Sequence, residues 1–197
     1  MARPKAQDYD HKREVILQRA ADLFAQHGYS ATSISMIAGA CGVSKALLYH
    51  YYPDKEAVLF DLLSVHLKAL VAVVEGAGGK GADRLHAMTD ALLEAYRCAN
   101  SQHQVQIASL KLLAPERQEA LRGLERRLVD LFADAIAEAL PRLTQSPLLK
   151  PVTMSLFGML NWHFLWFREG KGLSRTEYAK LATSLLLNGA EAALAPA

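Results

Sequence analysis

Apolar positions along this 197-residue chain recur at three- and four-residue spacing, and no stretch shows the two-residue alternation of a half-buried strand. The expected fold is therefore all-α. Residues 10–27 place Ile16, Ala20, Leu23 and Phe24 on one face, with Gly28 closing the helix and Tyr29 packing back. The preceding residues 1–8 read as a mobile arm whose Arg3 and Lys5 could lie on phosphates. In residues 54–75, Leu59, Leu62, Leu63, His66, Leu67, Leu70, Val71 and Val74 make the cleanest stripe of the chain, with His66 expected as a core histidine. The glycine-rich stretch 75–81 is the best linker. Helices follow over 83–99, then from a cap at Ser101 to Pro115, containing Ile107, Leu110, Leu112 and Leu113, then over 116–140. Residues 152–169 read as one helix apolar nearly all round, which implies burial on both sides. Ser174 and Glu177 form a capping box for a last helix striped by Tyr178, Leu181, Leu185 and Leu186.

Residues 32–55 carry the most specific pattern. Thr32 and Ser33 are N-cap types, and Ile34, Ile37, Ala38 and Cys41 fall on one helical face. Gly42 turns the chain, Ser44 caps a second short helix, and Pro53 stops it. Two short helices about a glycine turn make a helix-turn-helix, whose second helix can enter a DNA major groove. Lys45, Tyr49, His50 and Tyr51 suit its outer face, while Leu48 points back to the first helix. Ala46 and Leu47 could meet thymine methyl groups, and Lys55 could reach a phosphate. The candidate DNA-binding set is thus Thr32, Ser33, Ser44, Lys45, Ala46, Leu47, Tyr49, His50, Tyr51 and Lys55.

From Gly28 to Lys55 these residues, with Gly28-Tyr29, Ile37-Ala38, Gly42-Val43-Ser44-Lys45 and Leu48-Tyr49-His50-Tyr51-Tyr52 in order, resemble the DNA-binding domain of the TetR family of bacterial transcriptional regulators. The resemblance implies a three-helix helix-turn-helix domain, placed at 1–55, and a C-terminal helical ligand-binding and dimerisation domain, placed at 56–197. It also implies a homodimer that binds a palindromic operator in double-stranded DNA, usually as a repressor released by a small effector.

Composition changes this picture little. With 51% hydrophobic and 21% charged residues the chain is globular, and a net charge of +2 neither requires nor excludes a local basic face. Two unpaired cysteines, Cys41 and Cys98, suit a reducing cytoplasm. No signal segment is visible, and the apolar run 152–167 is shorter than the roughly 20 residues a spanning helix needs, so no membrane partner is expected. Catalytic motifs are missing: there is no HExxH, CxxC or G-x-S-x-G, and Lys80 in the glycine stretch is followed by Gly81, unlike a P-loop. Asp8, Asp10 and His11 sit on a terminal segment, so neither an enzyme, a metal site nor a cofactor is expected. The alternative is a helical small-molecule-binding or scaffold protein, which leaves the surface from Lys45 to Lys55 unexplained.

The body of the chain offers apolar walls with a few polar handles, the usual make-up of a small-molecule pocket. Met88, Leu92, Tyr96, Phe157, Asn161, Trp162 and Trp166 are the candidate ligand-binding residues. The segment Gly158-Met159-Leu160-Asn161-Trp162-His163 with Trp166-Phe167-Arg168 and Gly172-Leu173-Ser174 is similar to a helix of TetR-family regulators that respond to acyl-CoA thioesters in fatty-acid, steroid and aromatic-acid breakdown. The resemblance implies an acyl-CoA effector, with phenylacetyl-CoA a specific candidate. Two apolar C-terminal helices exceed one subunit's core, and pairing them with a second copy as a four-helix bundle accounts for the excess.

Overall fold

In the computed structural model the described residues are 3–194, with side chains from Asp8 on, and they are helical with no strand among them. The order is α1 (Arg3–His27), α2 (Ile34–Ala40), α3 (Lys45–Tyr51), α4 (Lys55–Glu75), α5 (Gly81–Cys98), α6 (Asn100–Ser109), α7 (Pro115–Ala139), α8 (Leu149–Asn161), α9 (His163–Trp166) and α10 (Arg175–Ala193). Short 3₁₀ turns at Leu110–Leu112 and Pro141–Leu143 follow α6 and α7. The all-α expectation holds. The backbone expected as a mobile arm is already helical from Arg3; the side chains of Arg3 and Lys5 lie outside the described residues.

The chain forms two compact units that do not follow a single cut: residues up to Leu67 with Ala99–Arg122, and Lys68–Cys98 with the chain from Gly123 on. In the first, Ile16, Ala20 and Phe24 of α1, Ile37 and Ala38 of α2, Leu48 of α3 and the Leu59–Leu63 stretch of α4 are buried. The packing of α1 on α6 adds two polar ties. Ser101 Oγ donates to Asp22 Oδ1 (3.0 Å) and Gln102 Nε2 donates to Gln18 Oε1 (2.8 Å). Ser101 is therefore not the cap of α6. Ala99 holds that position with no side-chain bond, because the serine hydroxyl is drawn to Asp22. Ile107 and Leu112 are exposed. The helix gives way to a 3₁₀ turn at Leu110, and the side chain buried there is Leu113.

In the second unit α10 packs on α5 and α8. Leu85, Met88, Leu92, Leu93 and Tyr96 of α5 are buried, as are Phe132, Ala135 and Ile136 of α7. Phe132 meets Phe157 edge-on at 5.1 Å. The end of α4 is tied to α7 by Arg127, whose Nη2 donates to Glu75 Oε1 at 2.8 Å. The capping box of α10 forms as expected, Ser174 and Glu177 satisfying each other's backbone.

Two expectations need correcting here. Residues 152–169 are not one helix: α8 ends at Asn161, Trp162 takes the C-cap with φ −94° and ψ −2°, and α9 is a single turn. Nor is this region buried on both sides, since Met154, Trp162, Leu165 and Trp166 are exposed. On α10 the buried face is Ala179, Ala182, Thr183, Leu186 and Ala190, so Leu181 and Leu185 point outward. Among the described residues α4 is the one helix long and apolar enough, by length and composition, to cross a membrane. Its apolar side chains Val58, Leu59, Leu62, Leu63, Leu67, Leu70 and Val74 are buried within the protein.

Candidate functional site

The helix-turn-helix is built by local chemistry. Ser33 is the N-cap of α2 and accepts from Met36 N at 3.2 Å. At Gly42, φ is +65°, a conformation that suits glycine, and Val43 N then donates back to Ala38 O at 3.0 Å. Ser44 caps α3 by accepting from Leu47 N at 3.1 Å. Leu48 is 0% exposed and fastens the helix to its neighbours. That single anchor orients the rest: Lys45, Ala46, Tyr49 and His50 face solvent, with Tyr49 51% exposed, while Leu47 is half-buried. Tyr51 is half-buried and stacks on Tyr9 of α1, centroids 4.5 Å apart and rings 18° from parallel. His50 meets Tyr51 edge-on at 6.0 Å.

Two members of the expected DNA-binding set are engaged inside the fold. Thr32 is buried, and its hydroxyl donates to Gly28 O (2.9 Å) and Leu23 O (3.2 Å), closing the end of α1. Lys55 Nζ donates to Tyr29 O (2.7 Å), Thr32 O (2.7 Å) and Ser30 O (3.3 Å), and lies 4.3 Å from the Tyr29 ring centre. A lysine with three carbonyl acceptors and a ring beneath it is a strut of the loop before α2, not a free cation at the phosphates.

Sequence reasoning missed a cluster behind α3. Asp61 of α4 accepts from Arg13 Nε (2.8 Å), from Arg13 Nη2 and from the Tyr52 hydroxyl (2.6 Å). Tyr52 is buried, and burial together with the Asp61 carboxylate pushes its hydroxyl well above the ordinary tyrosine value, so it remains a proton donor. The hydrogen bond that Arg13 donates to Asp61 likewise raises Arg13. A pairing between residues 48 apart leaves no periodic trace in the sequence.

Of the expected ligand residues, the second unit buries four, bonds Asn161 to one of them and leaves two exposed. Met88, Leu92, Tyr96 and Phe157 are buried, and the Tyr96 hydroxyl donates to Asn161 Oδ1 at 2.9 Å. Burial, with Glu125 nearby, raises the Tyr96 hydroxyl and keeps it protonated. Trp162 and Trp166 are 56% and 55% exposed and do not line that interior. The break at Trp162 turns both rings outward, so helical spacing carried across it assigns them to the wrong face. At the same corner His163 is buried, stacked on Phe167 at 4.2 Å and near Tyr178 at 4.8 Å. Burial and then the Arg175 charge lower it to about 4, so it is neutral at physiological pH. Among the described residues there is no group of three or more His, Cys, Asp or Glu that could hold a metal ion.

Comparisons with known proteins agree with this anatomy. Residues 16–62 match the family model for bacterial regulatory proteins of the tetR family, and residues 78–190 match the tetracyclin repressor-like C-terminal domain. The crystal structure of a TetR-family transcriptional regulator from Bordetella parapertussis 12822 superimposes with TM-score 0.82 at 34% identity, covering 93% of this chain and 98% of that one. The HTH-type transcriptional repressor KstR2 of Rhodococcus jostii (strain RHA1) is 25% identical over 96% of this chain and 97% of its own. The structure of AibR in complex with isovaleryl coenzyme A and operator DNA shares the fold, with TM-score 0.78 at 24% identity over 89% of this chain and 98% of that one. Some likenesses are confined to the head. Against YuxN of Bacillus subtilis (strain 168) the match is 44% identical over 28% of this chain and spans 19% of that protein's length. The two family models together cover the helix-turn-helix and more than half of the chain beyond it, and the chain belongs to the TetR family of bacterial transcriptional regulators.

Proposed function

We propose that this regulator is a cytoplasmic homodimeric repressor that binds a palindromic operator and is released from it by an acyl-CoA thioester, phenylacetyl-CoA being the specific candidate. Residues 1–55 act as the DNA-binding domain, and residues 56–197 bind the ligand and form the dimer. The observation that carries the DNA half is the outward face of α3. Lys45, Ala46, Tyr49 and His50 are presented together on a helix held from behind by Leu48. In a dimer the two copies of α3 would enter successive major grooves about 34 Å apart. The dimer is supported by the exposed apolar side chains of the C-terminal helices, Met154, Leu165, Leu181 and Leu185 with Trp162 and Trp166. Exposed apolar side chains of this kind are what a symmetric helix-pair interface covers.

The ligand half rests on less. Met88, Leu92 and Phe157 are buried in the same unit as the Tyr96–Asn161 hydrogen bond, and we read them as apolar walls beside one polar handle. An acyl chain enters only by parting these side chains, and that wedge is the proposed source of the signal. α4 continues from the first unit into the second, so a shift at its far end reaches the helix-turn-helix through one rigid element. The ligand must bind the DNA-incompetent form more tightly, because equal affinity would shift no population. The AibR structure with isovaleryl coenzyme A and operator DNA supports a thioester as the effector class, and the KstR2 repressor supports repression.

The experiment is a mobility-shift assay on the promoter beside the gene, followed by titration with phenylacetyl-CoA, isovaleryl-CoA, a long-chain acyl-CoA and the free acids. Release by a thioester and not by its acid is the expected result. Release by free acids equally well, or by no thioester, removes the acyl-CoA assignment and leaves the regulator standing. No retardation of the DNA at physiological salt would favour a binding or scaffold protein instead.

A further inference from the structure

The geometry points to Asp61 as a positioning residue of the DNA interface: one carboxylate of α4 clamps α1 through Arg13 and the recognition helix through the Tyr52 hydroxyl. This rests on the DNA-binding role of α3 proposed above.

A helix of seven residues has little stability of its own, so where α3 points is decided by its attachments. At its centre it has Leu48, and at its N-terminus the Ser44 cap, which is local and ties it to nothing else. Its C-cap is Tyr52, whose N–H donates to Leu48 O at 3.0 Å. Only Pro53 and Asp54 then separate it from α4. Asp54 is occupied as the local cap of α4, accepting from Ala57 N at 2.7 Å. Tyr51 also stacks on Tyr9 of α1, but stacked rings can slide, so with Leu48 and that stack alone the two-residue link is a pivot about which α3 could turn. The 2.6 Å bond from the Tyr52 hydroxyl to Asp61 Oδ2 closes residues 52–61 into a ring and removes that freedom. Arg13 grips the same carboxylate through both its Nε and its terminal Nη2, so α1 is locked to the same corner. Three elements meeting on one side chain move together: a tilt of α4 turns α3 with it and is not lost at Pro53.

Base-edge contacts demand placement far tighter than phosphate contacts, which long flexible side chains make over a range of positions. Loosening the corner therefore costs recognition of sequence more than attraction to DNA. A residue that merely supports the fold would, when replaced, scale both by the same folded fraction.

The test uses the full-length protein and an operator enriched by the wild type from a random duplex library. Affinity is measured for that operator and for a scrambled duplex at one salt concentration. Tyr52→Phe keeps the buried ring and the cap and deletes one hydrogen bond to a charged acceptor; it is expected to weaken operator binding about tenfold and scrambled DNA less than about twofold. Asp61→Asn is expected to act in the same direction. The double variant should fall short of the sum of the two single effects, because both weaken the same Tyr52–Asp61 bond. If Asp61→Asn loses its helicity, Tyr52→Phe decides alone. An unchanged ratio of operator to scrambled affinity in Tyr52→Phe overturns the positioning role while the DNA-binding role stands. A wild type that enriches no sequence overturns both.

Discussion

Lys55 Nζ lies 2.7 Å from the carbonyl oxygen of Thr32, so the first residue of α4 is hydrogen-bonded to the loop that opens the helix-turn-helix. The sequence places this lysine next to the recognition helix, where a phosphate contact is the natural expectation. Its bonds to Tyr29 and Thr32 point it into the protein instead.

Lys55→Ala is accordingly expected to lower stability and leave the salt dependence of DNA binding unchanged. Loss of a charged donor serving two short bonds costs about 1.5–3 kcal/mol, or a melting shift of several degrees. Thermal unfolding and a salt titration of operator affinity read the two effects separately. A salt slope reduced by about one would return Lys55 to the phosphates.

Lys45→Ala should behave oppositely. Lys45 is exposed on α3, so its loss should weaken operator binding and lower the salt slope by about one if it meets a phosphate. Tyr49→Phe should weaken operator binding with little change in slope. Circular dichroism and sedimentation should match the wild type in both. Wild-type operator affinity in both variants would remove α3 from the DNA.

Leu185 is 59% exposed in the single chain, and Leu181 is exposed on the same face of α10. If this face is the dimer seam, Leu185→Glu places an unpaired charge in it at a cost of several kcal/mol. Sedimentation should then show monomers or aggregates, with operator binding lost in parallel. An unchanged dimer would move the interface off α10.

His66 on α4 is buried with its Nε2 lacking a hydrogen-bond partner, and burial first, then His103, lower it to about 4. In the unfolded chain it titrates near 6.5. Between those values the unfolded state binds more protons, so stability is full above about pH 6.5 and falls as pH drops toward 4. The share from this residue is about 2 kcal/mol by pH 5. Melting temperature should fall on going from pH 7.5 to pH 5, and His66→Gln should fall less steeply. An equal slope in the variant would place the titration elsewhere.

The helix-turn-helix was legible because each of its signals is local. The Ser33 and Ser44 caps, the positive φ at Gly42 and the buried Leu48 are all set by residues within a few positions. The capping box of α10 was legible for the same reason. Periodicity also selected the burying stripe of α4, whose single long face has one solution.

The amino-acid order alone thus determined an all-helical chain with a helix-turn-helix whose second helix carries Lys45, Tyr49 and His50 on its outer face. What it could not decide is which of two apolar faces on one helix is used by its own chain, and where a long side chain ends. On α10 the face packed toward α5 and α8 carries Ala179, Ala182, Thr183, Leu186 and Ala190, while Leu181 and Leu185 stay out. The turn at Trp162 reverses the sides of everything after it, sending two tryptophans to the surface. Thr32, Lys55 and the Arg13–Asp61–Tyr52 cluster find partners in loops and helices that sequence spacing does not relate. Hydrogen bonds and packing of that kind depend on distances in space, and only the folded chain brings those residues within reach.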